Sequence, residues 1–178
     1  MESEMNTKNM KKLPQKRSPL LTAAKAVMLV LSLWFSCAMP ALTGSGLISN
    51  RASYGAEMEK TGIFFVVSAA LMTAGAVLCL VRRDLPDILS VVFSLSGLAL
   101  CMAMLKKLTD HADRSGWTDK YTLLPISDMY TSRIMPCIIP VLLCIVIAAV
   151  QLCSYEQKER RHRKKAEKDA PAPHIIDD

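Results

Sequence analysis

SRIMPCIIPVLLCIVIAAVQLCSY, residues 132–155, runs directly into EQKERRHRKKAEK, residues 156–168. Met135 to Tyr155 is 21 residues without a formal charge. A helix of that length matches the ~30 Å hydrocarbon core of a bilayer. The segment after it places seven Lys/Arg between Lys158 and Lys168. A basic run flanking an apolar one marks the cytoplasmic side of a membrane. This junction gives the class of the protein and an expected orientation, and leaves its chemistry open.

Three further runs have the same character. Leu20 to Leu42 carries one charge, Lys25, close enough to its cytoplasmic end for the ammonium to snorkel to the headgroups. Gly62 to Val81 is 20 residues without a charge and dense in small side chains. Asp87 to Leu105 forms a third run, opened by Pro86, which suits the first turn of a helix because its missing N–H costs nothing there. The expected fold is an all-α integral membrane protein of four antiparallel transmembrane helices, with spans at about 20–42, 62–81, 86–105 and 135–155. Residues 1–19 read as a disordered basic tail. Residues 156–178 read as a basic tail that begins helical, supported by the i,i+4 pairs Glu156–Arg160 and Glu159–Arg163, and becomes disordered past Pro171.

Charge sets the topology. The N-tail, the Arg82-Arg83 turn and the C-tail together hold 14 Lys/Arg, against 7 in the longer segments 43–61 and 106–133. By the positive-inside rule both termini are cytoplasmic and both longer segments, read as loops, face outside. The location is then the plasma membrane, crossed several times. The net charge of +6 belongs to this pattern rather than to nucleic-acid binding, because the excess cations lie beside apolar runs. In the tail, Lys158, Arg160, Arg161, Arg163, Lys164 and Lys165 are expected to meet anionic headgroups. A cleaved N-terminal signal peptide is the alternative to an uncleaved anchor. The apolar run is longer than a usual signal core, and Trp34 and Phe35 sit just before the candidate cleavage site, so the anchor is favoured.

Within the spans, Ser90, Ser94, Gly97 and Cys101 fall at offsets of 0, 4, 7 and 11, on one helix face. Small residues let helices approach closely in lipid, so this face is expected to pack against another helix, most simply the second span. Six cysteines lie in apolar runs with no CxxC, so they read as small hydrophobes rather than as a redox motif. The expected orientation puts Cys37, Cys101 and Cys137 toward the outside, where two of them could form a disulfide. The same end holds Pro40, Pro136 and Pro140, which are expected to bend or loosen the helices and could, with Trp34 and Cys37, line an outer vestibule. Asp110, His111 and Asp113 form a small acidic–histidine group, flanked by Lys106, Lys107 and Arg114, that reads as solvated loop rather than metal site.

No nucleotide-binding loop, nucleophile motif or zinc spacing is present, so no cofactor is expected. The leading expectation is a non-enzymatic accessory or assembly subunit whose partners are the bilayer, its anionic headgroups and another membrane protein or a second copy of itself. The alternatives are a small oligomeric transporter or channel and, third, a membrane thiol oxidoreductase.

Overall fold

A computed structural model describes residues 19–81, 84–118 and 125–169, with side chains included except at 84 and 155–169. The described residues are helical apart from short connections, and no strand forms among them. The chain order is α1 (Pro19–Leu31), a π-helical segment (Ser32–Ala38), α2 (Met39–Ser49), α3 (Arg51–Tyr54), α4 (Ala56–Leu78), α5 (Asp84–Arg114), α6 (Ile126–Ile134), a 3-10 turn (Met135–Cys137) and α7 (Ile138–Asp169). Four stretches are long and apolar enough to cross a membrane: Pro19–Ser49, Ala56–Leu78, Leu85–Arg114 and Ile126–Ser154. They suggest a multi-pass membrane protein.

The helices extend beyond the predicted spans. The segment 43–61, expected as a polar loop, and the segment 106–133, expected as a loop with a short helix after Pro125, are largely helical where described: α2 reaches Ser49, α4 begins at Ala56, α5 continues to Arg114, and α6 follows Pro125. The reason is visible in α5. Leu105, Leu108 and Ala112 are all buried, at offsets of 0, 3 and 7. One apolar stripe therefore carries the helix on through the charged residues around it. Gly116 ends it with φ at +62°, and Trp117 N–H reaches back to Ala112 O at 2.9 Å. That is the glycine-terminated closure in which a left-handed residue satisfies the last carbonyls.

Both proline regions depart from α-helix. Pro40 has no N–H to offer Ser36 O, and its ring would press on that carbonyl. The preceding turn widens into the π segment, in which Met39 N–H bonds to Trp34 O. In the fourth span, Pro136 lies in the 3-10 turn and Pro140 in the first turn of α7. The π segment and the 3-10 turn pack against each other.

The core has two parts. One contains Leu47, Phe65, Met72, Cys101, Leu105 and Val141, and the other contains Met28, Ala76, Cys79, Cys144, Ile147 and Ala148. Between α4 and α5 the backbones nearly touch. A Cβ on Gly97 would lie 2.9 Å from Met72 N and 3.0 Å from Ser68 O, and one on Gly75 would meet Ser94 Oγ and lie 2.9 Å from Ser90 O. Gly44 of α2 and Gly62 of α4 make a similar mutual approach: a Cβ on Gly44 would stand 2.5 Å from Gly62 O. Residues 1–18, the Arg82-Arg83 turn, residues 119–124, the side chains of the basic tail and residues 170–178 lie outside what is described, and so do the expectations placed on them.

Candidate functional site

At one end of the bundle, polar side chains from separate spans converge. Lys25 Nζ donates to Gln151 Oε1 at 2.8 Å and to Leu80 O at 3.4 Å. Gln151 Nε2 donates to Asp87 Oδ1 at 3.2 Å and to Cys79 O at 3.3 Å. Lys25, Asp87 and Gln151 come from the first, third and fourth spans. Leu80 and Cys79 follow the second span directly, so every span contributes. Lys25 is 9% exposed, Gln151 3% and Asp87 0%.

Local chemistry explains the arrangement. Cys79 and Leu80 carry carbonyls at the C-terminal end of α4, which has no intrahelical donors left for them. A cation there meets both free acceptors and the negative end of the helix dipole. Asp87 lies in the first turn of α5, where exposed N–H groups and the positive dipole end favour a carboxylate. The carboxamide of Gln151 joins the two charges. Its oxygen accepts from the ammonium and its nitrogen donates to the carboxylate, and the flipped amide would oppose both.

Lys25 does not snorkel outward. It lies on the face that also carries Met28, Ser32 and Ser36, at offsets of 0, 3, 7 and 11, all of them buried. That phase turns position 25 toward the other helices. An approximate depth can be read from a sequence, but the direction of a single charge cannot unless the buried face is already identified.

The small-residue face predicted on the third span is wholly inside the bundle. Ser90 and Ser94 lie within 3.1 and 3.5 Å of Cys144 Sγ. Gly97 abuts Met72 and Ser68 of α4. Cys101 and Cys137 are both buried in the same part of the core. All six cysteines are free thiols, so no disulfide joins Cys37, Cys101 or Cys137. A second buried thiol pair, Cys79 with Cys144, lies beside the polar cluster, where Cys79 Sγ approaches Cys144 O at 3.8 Å.

At the other end, Pro40, Pro140 and Cys137 are buried rather than lining open space, and Trp34 is 58% exposed. Of the five positions suggested for a vestibule, Pro40 and Pro140 are thus buried, Cys37 and Pro136 are half-buried and Trp34 is exposed. Asp110, His111 and Asp113 sit on the last turns of α5, and the His111 ring meets Trp117 edge-on at 5.1 Å. No group of three or more His, Cys, Asp or Glu suited to a metal forms among the described residues. Two ion pairs hold this end, Arg51 with Glu59 and Lys107 with Glu57, each at 3.0 Å.

A cavity of about 500 Å³ opens at this same end. Its walls come from α2, α3 and α6, including Met39, Leu42, Asn50, Tyr54, Tyr130 and Arg133. Nothing in the apolar periodicity pointed to it, because it depends on α6 folding back beside α2. Comparison with known proteins finds no family model, no curated protein and no solved structure that matches this chain.

Proposed function

We propose that the chain is a non-enzymatic, multi-pass component of the plasma membrane that acts as an accessory or assembly subunit, with antiparallel spans and both termini on the cytoplasmic side. One observation carries the assembly reading. The third span has a second row of small residues, Ser96, Ala99 and Ala103, at offsets of 0, 3 and 7, and all three are exposed. This row is shifted by two positions from the buried row, so it lies about 200° around the helix on the opposite side. The buried row is used up within the chain. The exposed row leaves a shallow strip on which a helix of another subunit, or of a second copy, can pack closely. The 14 against 7 cation count supports the orientation.

The test is native mass spectrometry after extraction in mild detergent. The wild type is expected to retain a stoichiometric protein partner or a second copy. Ala99→Leu fills the strip and is expected to release that partner without lowering the thermal midpoint. A strictly solitary monomer in every mild detergent would sink the reading.

The buried Lys25–Gln151–Asp87 cluster favours a second reading, a small transporter or channel, because ionisable groups inside a membrane bundle commonly mark ion or proton paths. Under that reading, proteoliposomes carrying the purified chain show proton or cation flux that Asp87→Asn abolishes. Vesicles no leakier than protein-free controls would remove it.

A further inference from the structure

The cavity at the Arg133 end is divided chemically along its length. Met39 and Leu42 supply an apolar wall, while Asn50, Tyr54, Tyr130 and Arg133 supply an amide, two phenols and a guanidinium. Among the described residues, no acidic side chain lines it. Arg133 takes part in no ion pair among the described residues, whereas Arg51 and Lys107 at the same end are each committed to a glutamate. The position agrees with the composition. Arg133 stands just before the uncharged run that starts at Met135, at the boundary between apolar and polar chain. Tyrosines at such a boundary sit at the headgroup level. A guanidinium offers a planar fork of donors that matches the oxygens of a phosphate.

We propose that this cavity binds the phosphate head of an anionic phospholipid drawn from the surrounding leaflet, with Arg133 on the phosphate and Met39 and Leu42 against the first acyl carbons. The site is defined by the fold and stands or falls separately from the assembly reading. Leu42 is 66% exposed, so the apolar wall is open to the lipid from which the ligand would enter.

Gly46 offers a way to close the site. It lines the cavity, and a Cβ there would meet nothing within 4 Å. Gly46→Leu therefore places a side chain into open space without disturbing helix packing.

The experiment uses the purified full chain in neutral detergent, titrated with phosphatidylglycerol or with phosphatidylcholine of identical chains, and read by native mass spectrometry. The wild type is expected to retain one phosphatidylglycerol in preference to phosphatidylcholine by about tenfold, because the choline cation of the zwitterionic lipid offsets the phosphate charge beside the Arg133 guanidinium. Arg133→Gln is expected to erase that preference, and Gly46→Leu to prevent retention with the thermal midpoint unchanged. Arg51→Gln, which alters a cation at the same end outside the cavity, leaves both intact. The basic tail is present in all variants, so lipid held there is common to all. Equal retention of the two lipids, or retention of phosphatidylglycerol by Arg133→Gln, overturns the proposal. Displacement of the lipid by millimolar inorganic phosphate overturns it in favour of a site for a free anion.

Discussion

Gly97→Leu is expected to give little or no folded protein, and Gly97→Ala to lower stability measurably despite the better helix propensity of alanine. A Cβ at this position stands 2.9 Å from Met72 N and 3.0 Å from Ser68 O. Both are backbone atoms of α4, so no rotamer change relieves the contact and the two helices must move apart. Overpacking of this kind costs about 1–3 kcal/mol for one added methyl group and more for a larger side chain. Helix propensity returns only about 1 kcal/mol. The steric term wins because the α4–α5 contact extends over two full turns, from Gly97 against Ser68 and Met72 to Gly75 against Ser90 and Ser94. Gly46→Ala is the control: its Cβ meets nothing within 4 Å, so the same substitution in a helix is expected to be neutral or slightly stabilising. Thermal unfolding in detergent reads all three. A Gly97→Ala midpoint equal to that of the wild type would show that α4 and α5 are not in close contact.

The second large effect concerns the polar cluster. Asp87→Leu removes the carboxylate that Gln151 Nε2 faces and leaves Lys25 buried without that counter-charge. Removing one member of a buried charged set costs about 3–5 kcal/mol, whereas replacing the whole set by apolar groups is often close to neutral. The double variant Lys25→Met/Asp87→Leu is therefore expected to be more stable than Asp87→Leu alone. Gln151 then keeps its bond to Cys79 O at 3.3 Å and loses two charged neighbours together. The long stem of Lys25 also gives the single variant an escape toward the headgroups, which places its loss at the lower end of the range. A double-mutant cycle measured by denaturant unfolding gives the coupling directly. Strictly additive losses would mean that the two charges do not communicate through Gln151.

The spans were legible because lipid imposes a simple rule, about 20 predominantly apolar residues with few or no charges, and four segments obey it, two of them with a single charge near one end. The helix ends were not, because Leu108 and Ala112 continue the buried stripe among lysines and aspartates, where a hydropathy reading sees only loop. The irregular turns lie just before Pro40 and at Pro136, whereas Pro140, the proline expected to loosen the fourth span most, is taken up in the first turn of α7. That one widens to a π segment and the other tightens to a 3-10 turn depends on the neighbours each packs against. The buried cluster was the least legible feature. Each of its members looks ordinary in isolation: one lysine near a span end, one aspartate after a turn, one glutamine in an apolar run. Their meeting requires four segments spread over residues 25 to 151 to reach the same level.

That shared level has a mechanical consequence. Apolar helices in lipid can slide along one another at low cost, since one row of Leu and Val against lipid or protein is much like the next. Hydrogen bonds do not slide. A shift of one residue moves a helix about 1.5 Å along its axis, enough to carry Gln151 out of reach of Lys25 or of Asp87, since bonding is lost within about half an ångström beyond 3.2 Å. The cluster thus works as an axial pin. It sets the vertical alignment of all four helices at one end, while the glycine contacts set their spacing farther along.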